Sequence, residues 1–315
     1  MKCIRYERRR RTIYSPHGCT IVGVQGSNGI WMIGSNSDDP WKTRTRLIIS
    51  ADKSYRYIGT ELICDGDQNV PWAGMITRGV NEKGLGFTYA HVEPTDGNWA
   101  TEQGINFRDF SRNLLGECTT VKEAEDYIRS VKRAFHGNFI VNDANQDIAL
   151  LEVSTKRVHT IRPSQWEWKP PLICCNYYVS NEMRFYSDLE YAIESNAHCR
   201  WHNAMLTARK SDCIGMDLLK QILTSHEGRL PEDEDWSRCP CNHGKTVGTV
   251  SSEIIDTATS TFYYCLGWPC GCQTPEAGQE YQQLSWGCYK AFKVCDYSQS
   301  AILVDCQNNI NVALE

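Results

Sequence analysis

Over the first ninety or so residues, apolar and β-branched positions come in short runs broken by turn signals. Thr20-Ile21-Val22-Gly23-Val24-Gln25 is followed by Gly26-Ser27-Asn28-Gly29 and then by Ile30-Trp31-Met32-Ile33-Gly34, which is the pattern of a hairpin. It predicts Cys19 at the open end of one strand, with Asn36 and Asp38 at the matching end of the other. Further strands are predicted over 57–64 and 73–78, and a turn at 80–84 feeds a strand that reaches His91. The period then changes. Phe107, Phe110 and Leu114 recur at helical spacing over 106–115, and Thr120-x-x-Glu123 opens a second helix over 120–132, with Thr120 capping and Glu123 reciprocating. These helices are expected side by side on one face of a sheet. A second hairpin is predicted over 136–142 and 147–153, extended by 158–161. Helical patterns return at 182–195 and at 217–223, the second running on towards His226. A third hairpin is predicted over 246–256 and 261–266, with β-like stretches between 291 and 304.

Strands, then a block of helices, then helices and strands again, point to an antiparallel α+β layered fold rather than alternating βαβ units. No glycine-rich phosphate loop follows a strand, which counts against nucleotide-binding folds. With 315 residues and 41% hydrophobic content the chain can bury a large core, and one layered domain is expected. A net charge of −5 offers no global attraction to nucleic acid or to an anionic membrane, and no stretch approaches the roughly 20 apolar residues that span a bilayer. Small-molecule substrates move up the list. Residues 1–18 are polar, contain Arg8-Arg9-Arg10-Arg11 and read as a leader, leaving 19–315 as the main domain; no secretory h-region accompanies the basic run. The 16 cysteines are then expected as reduced thiols in a cytoplasm.

Two close pairs, Cys239-Pro-Cys241 with His243 beyond it and Cys270-Gly-Cys272, carry enough sulfur and nitrogen for a tetrahedral metal. C-x-C is a poorer signal than paired C-x-x-C, and buried intracellular cysteine commonly packs as a small hydrophobe. The reading therefore assigns no metal and no cofactor. The competing class is a non-catalytic, metal-stabilised or ligand-binding protein that uses Cys239/Cys241 and Cys270/Cys272, with Cys19 incidental.

A cysteine nucleophile needs a base, and none of the eight histidines sits in a context that nominates it. A cysteine at a chain N-terminus solves this differently, because a free α-amine has a reference pKa of about 7.7–8.0 and works as its own base near neutrality. Gly18 before Cys19 leaves the preceding carbonyl open to attack by the thiol.

Gly18-Cys19-Thr20 with Gly34-x-Asn36-x-Asp38, then Asn81-Glu82-Lys83-Gly84-Leu85, then Asn138-Phe139-Ile140-Val141-Asn142-Asp143 and Leu151-Glu152, occur in the order in which they stand in N-terminal nucleophile hydrolases. The chain resembles the linked groups of choloylglycine hydrolases and acyl-coenzyme A:6-aminopenicillanic acid acyltransferases over about residues 15–275. The segments 222–229, 246–252 and 267–270 are more similar to the acyltransferase branch. The resemblance implies a four-layer αββα sandwich of two antiparallel sheets between helical layers, and self-processing of a zymogen between Gly18 and Cys19. It implies that the Cys19 thiol attacks an acyl carbonyl of a linear amide or thioester while the freed amine shuttles the proton. Asp38 would bond that amine, Asn176 would donate to the oxyanion, and Arg238 is a weaker candidate for the arginine found late in the site. Ser35 stands where the choloylglycine pattern has arginine, which counts against a bile-salt hydrolase. His91 stands where that group has an asparagine beside the oxyanion. Trp166, Trp168 and Trp286 are candidates to line an acyl pocket. The partner implied is a small acyl-amide or acyl-thioester, and hydrolysis and acyl transfer differ only in the nucleophile that resolves the thioester.

Overall fold

The structure is a computed structural model that describes residues 18–40, 43–63, 73–97, 101–166, 171–229, 236–244, 247–271 and 288–305. The leader up to His17, Cys272, Trp168 and Trp286 lie outside the described residues. In chain order the first strands are β1 (Gly18–Gln25), β2 (Trp31–Pro40), β3 (Arg44–Ser50), β4 (Tyr57–Ile63), β5 (Ile76–Asn81) and β6 (Gly86–Ala90). Helices α1 (Phe107–Glu117) and α2 (Val121–Ser130) follow, then β7 (Gly137–Asn142), β8 (Ile148–Val153), β9 (Val158–Ile161) and β10 (Leu172–Cys174). Next come α3 (Leu189–Glu194), α4 (Ala197–Lys210) and α5 (Gly215–Leu223), and the chain closes with β11 (Val247–Asp256), β12 (Thr261–Leu266), β13 (Lys290–Lys293) and β14 (Ala301–Asp305).

The strands form two sheets, one ordered β10-β1-β2-β11-β12-β13 and the other β14-β3-β4-β5-β6-β7-β8-β9. Neighbours in both are antiparallel. One apolar cluster fills the space between the sheets, with Ile21, Ile33 and Ile255 from the first meeting Ile58, Val80, Ile140 and Leu150 from the second. Phe107, Phe110 and Leu114 of α1 and Ile128 of α2 cover the outer face of the larger sheet, through Phe87, Phe139 and Leu151. Ala204 and Met205 of α4 and Leu219, Ile222 and Leu223 of α5 cover the outer face of the smaller one, through Val22, Val24 and Ile254. This is the αββα sandwich. Strands buried on both faces explain why β1 and β8 read as nearly continuous apolar runs.

Local chemistry accounts for the element ends. Asn106 and Thr120 cap α1 and α2 by accepting from the Asp109 and Glu123 amides. The Glu123 carboxylate reciprocates, accepting from the Thr119 amide and hydroxyl as well as from the Thr120 amide. Gly84 turns into β6 at φ +83°, where a Cβ would lie 2.5 Å from the Thr257 carbonyl. Two expectations are corrected, and two elements were not anticipated. Residues 182–187 are not α-helical; α3 begins only at Leu189, where Asp188 caps it through the Tyr191 amide. Helix α5 ends at Leu223 without reaching His226, because the Asn36 side-chain amide takes the Leu223 carbonyl at 2.8 Å. Strand β3 and helix α4 carry no counterpart in the sequence reading. The α4 sequence mixes His, Arg, Trp and Asn among its apolar positions, so its buried face does not stand out as a stripe.

Candidate active site

The hairpin β1–β2 sets Gly18 opposite Asp38 and Thr20 opposite Asn36, which puts Cys19 and Asp38 at one end of the central strand pair. On the far side of β2, strand β11 pairs Thr249 with Asp38 and then Ser251 with Ser37, so Val250 is an extra residue in a bulge beside the site. That irregularity places Thr249 Oγ1 2.7 Å from Asp38 Oδ1, to which it donates. Gly18 is hemmed in rather than strained: a Cβ there would lie 2.8 Å from the Arg200 guanidinium and 3.0 Å from Asp38 Cβ.

Cys19 is 6% exposed. Its backbone nitrogen donates to Asn176 Oδ1 at 2.8 Å, and its Sγ accepts from Arg78 Nη2 at 3.2 Å. Arg78 comes from β5 in the opposite sheet and also donates through Nε to Ser35 Oγ at 3.1 Å. Behind it lies Glu253, 3.6 Å from Arg78 and accepting from the hydroxyls of Ser35, Thr60 and Ser251. Helix α4 adds a second buried guanidinium. Arg200 donates through Nη2 to Asn176 Oδ1 at 2.8 Å, and its Nε lies 3.3 Å from Asp38 Oδ2.

The electrostatics follow from burial set against these partners. Burial pushes the Cys19 thiol up, with Arg78 pulling the other way. Burial also raises Asp38 from 3.8 to about 6, against the Arg200 charge and the Thr249 hydrogen bond. Arg78 loses solvation, but Cys19 and Glu253 outweigh that loss and hold it above its ordinary value.

Asn176 sits just after β10, and Asn138 fixes its backbone by donating to the carbonyls on either side, Cys175 at 2.9 Å and Tyr177 at 2.8 Å. Glu152 holds the next residues through Val179 and Ser180. These two motif residues thus position the loop that carries Asn176. Two donors fix which end of the Asn176 amide faces the site. Its oxygen takes Cys19 N and Arg200, and its nitrogen donates to the His91 carbonyl at 2.8 Å. The structure therefore puts the acceptor of Asn176 on Cys19, where an oxyanion donor was expected. His91 joins this network through its backbone carbonyl. Its imidazole packs against His136 and Tyr191, with Nε2 3.3 Å from Glu93. Asn36 ties β2 to the Leu223 and Pro240 carbonyls. Arg238 is exposed on a turn, and the arginines brought to Cys19 are Arg78 and Arg200. Trp166 is buried with its Nε1 on the Pro171 carbonyl, beside a cavity of about 140 Å³ lined by His159, Ile161 and Glu182.

The model of one protein family, acyl-coenzyme A:6-aminopenicillanic acid acyl-transferase, matches residues 24–269 of this chain. The chain belongs to that family. This acyl-transferase family match begins five residues after Cys19 and so is independent of the thiol itself. No significant sequence match is found among curated proteins. Among solved structures, a cysteine-to-alanine mutant of the conjugated bile acid hydrolase from Clostridium perfringens superposes with a TM-score of 0.56. It is 10% identical, over 90% of this chain and 96% of that one. An arginine-to-leucine variant of the same hydrolase gives a TM-score of 0.52 at 11% identity, over 90% and 97%. Penicillin V acylase from Agrobacterium tumefaciens superposes more loosely, at 0.45 and 14% identity over 79% and 83%. The fold is that of the N-terminal nucleophile hydrolases, and membership of the acyl-transferase family supports amidase or acyl-transfer chemistry of that type. No helix among the described residues is long and apolar enough to cross a membrane.

Proposed function

We propose that this acyl-transferase family member is a self-processing cysteine enzyme that cleaves or transfers the acyl group of a linear amide or thioester through a Cys19 thioester. The observation that carries the reading is the convergence on one residue of a guanidinium at its sulfur and a side-chain amide oxygen at its nitrogen. In the uncleaved chain, Cys19 Sγ attacks the Gly18 carbonyl carbon and the acyl group shifts from nitrogen to sulfur. Water then resolves the thioester, releasing the Gly18 carboxylate and leaving Cys19 with a free α-amine. Asn176 Oδ1 already accepts from that nitrogen and would hold the amine in place. In turnover the amine takes the thiol proton, Sγ adds to the substrate carbonyl, and the proton passes to the departing amine or thiol; water or an acceptor nucleophile then attacks the Cys19 thioester, takes the acyl group and returns a proton to the sulfur. Arg78 stabilises the thiolate against the cost of its burial.

The buried Asp38–Arg200 pair orients this nitrogen through Asn176, and Arg200 closes over Gly18 so that no side chain fits at the scissile residue. No disulfide joins any of the twelve cysteines among the described residues. The intact mass of wild type beside Cys19→Ala, under denaturing conditions, tests the proposal. Two fragments divided at Gly18/Cys19 in the wild type alone are expected; a full-length, fully active wild type overturns the amine-as-base mechanism.

A further inference from the structure

Away from Cys19, four side chains from three separate segments meet with their ligand atoms turned inward. His226 lies just beyond α5, Cys241 and His243 lie in the turn before β11, and Cys270 lies in the turn after β12. Their Nε2 and Sγ atoms all fall within 4.8 Å of one another. His226 Nε2, Cys241 Sγ and Cys270 Sγ each lie 3.3 Å from His243 Nε2. A single imidazole nitrogen carries either one hydrogen or one lone pair, so it cannot satisfy three hydrogen bonds at once. The other ring nitrogen of His243, Nδ1, is buried without a hydrogen-bond partner, so the ring's polar contacts all gather on the inward atom.

We infer that His226, Cys241, His243 and Cys270 form a structural zinc site. Two sulfurs and two nitrogens are a common tetrahedral zinc donor set, and metal–ligand bonds of about 2.3 Å to sulfur and 2.0–2.1 Å to nitrogen put neighbouring ligand atoms roughly 3.3–3.8 Å apart. The observed 3.3 Å contacts fall at the short end of that range. The set takes one cysteine from each C-x-C pair and adds His243, two residues beyond Cys241, and His226, 13 residues before Cys239. Cys239, the other member of the first pair, instead directs its thiol to the His226 carbonyl at 3.6 Å. Indole rings orient the imidazoles: His243 stacks on Trp268 at 3.8 Å and 9°, and Trp236 packs against both His243 and His226. Four protein ligands close the coordination shell, which is the arrangement of a structural rather than a catalytic ion.

The site braces the active centre. Pro240, beside Cys241, receives the Asn36 amide through its carbonyl at 2.7 Å. On the other side of Cys241, the Asn242 amide donates to Thr249 Oγ1 at 2.9 Å, and that hydroxyl in turn donates to Asp38. One ion would thus pin the end of α5, the turn before β11 and the turn after β12 to the strand that carries Asp38.

The test uses full-length protein without a polyhistidine tag, grown with added zinc. Elemental analysis is expected to find about one zinc per chain, lost in Cys270→Ser and kept in Cys213→Ser, whose exposed thiol lies outside the group. Chelation is expected to lower the melting temperature of the wild type, and zinc to restore it. If Cys270→Ser does not fold, cobalt-exchanged wild type decides: tetrahedral bands with thiolate-to-cobalt charge transfer support the site. Less than half an equivalent of zinc after reconstitution, no thiolate–cobalt band, or a Cys241–Cys270 disulfide in the native protein overturns it. None of these readouts depends on catalysis, so the inference stands or falls apart from the proposed activity.

Discussion

Two cysteine environments lie on either side of Asp38, and they differ in what faces the sulfur. Cys19 meets a guanidinium, has its nitrogen held by an amide oxygen, and has no imidazole among its hydrogen-bond partners in the described structure. Cys241 and Cys270 meet two imidazoles framed by indoles. Under the proposed function, one sulfur with a cation and, once the Gly18 bond is cleaved, an adjacent amine as base is arranged to attack. Two sulfurs with two imidazole nitrogens are arranged to share a metal. Burial alone does not distinguish them, since Cys19 and Cys241 are both buried; the partners do.

The largest effect that separates the two environments comes from Cys19→Ala. It should abolish cleavage and lower acyl turnover by about 10⁴-fold or more, while leaving the melting temperature and the zinc content near wild type. A variant that also lost zinc would show that the two clusters are one unit. Arg78→Met comes next. It should reduce alkylation of Cys19 by a small electrophile by roughly 10²-fold. It also strands Glu253 in the core, costing about 3–5 kcal/mol in chemical denaturation. Arg78→Lys should recover part of the stability and little of the reactivity, because a flexible ammonium does not reproduce the rigid fork that sets Nε on Ser35 and Nη2 on the thiol. Gly18→Val pushes a side chain into Arg200 and should slow self-cleavage about tenfold or more, measured as the rate of fragment appearance after zinc-replete refolding.

The smallest effect is a pH slope. Asp38 keeps its proton up to about pH 6 in the folded chain, against an ordinary value of 3.8. Stability from this group is therefore full at low pH and is lost as pH rises from about 4 through about 6, by up to about 3 kcal/mol. Glu152 and Glu253 are also raised by burial and act in the same direction, so the difference between wild type and Asp38→Asn isolates the Asp38 share. Urea midpoints at pH 4.5 and pH 7 should diverge more in the wild type than in the variant.

The hairpin carrying Cys19 and Asp38 was legible because both flanking runs are apolar and end in turn signals, and a hairpin's pairing follows from its turn. The two caps on α1 and α2 were legible for a similar reason, since they are local. The arginines were not. Arg78 sits in a strand buried on both faces, and a lone charge within a predicted strand was the available signal for it. Arg200 lies on α4, whose mixed face hid both the helix and its buried cation. The metal donor set escaped because ligand spacing in sequence favours pairs such as C-x-C. Here the fold chooses one member of each pair and recruits His226 from the end of α5. In each case the missing information is long-range: which strand or helix end arrives at a point already marked by a local motif.

The account rests on Cys19 acting as the nucleophile from a new N-terminus, and trapping tests that most directly. Purified enzyme is quenched in acid after brief exposure to a panel of acyl amides and acyl thioesters, and its peptides are weighed. An acyl group released by hydroxylamine, on a peptide that begins at Cys19, is the predicted result. Acyl groups found only on another residue, or turnover by a protein in which Cys19 is still joined to Gly18, would contradict it.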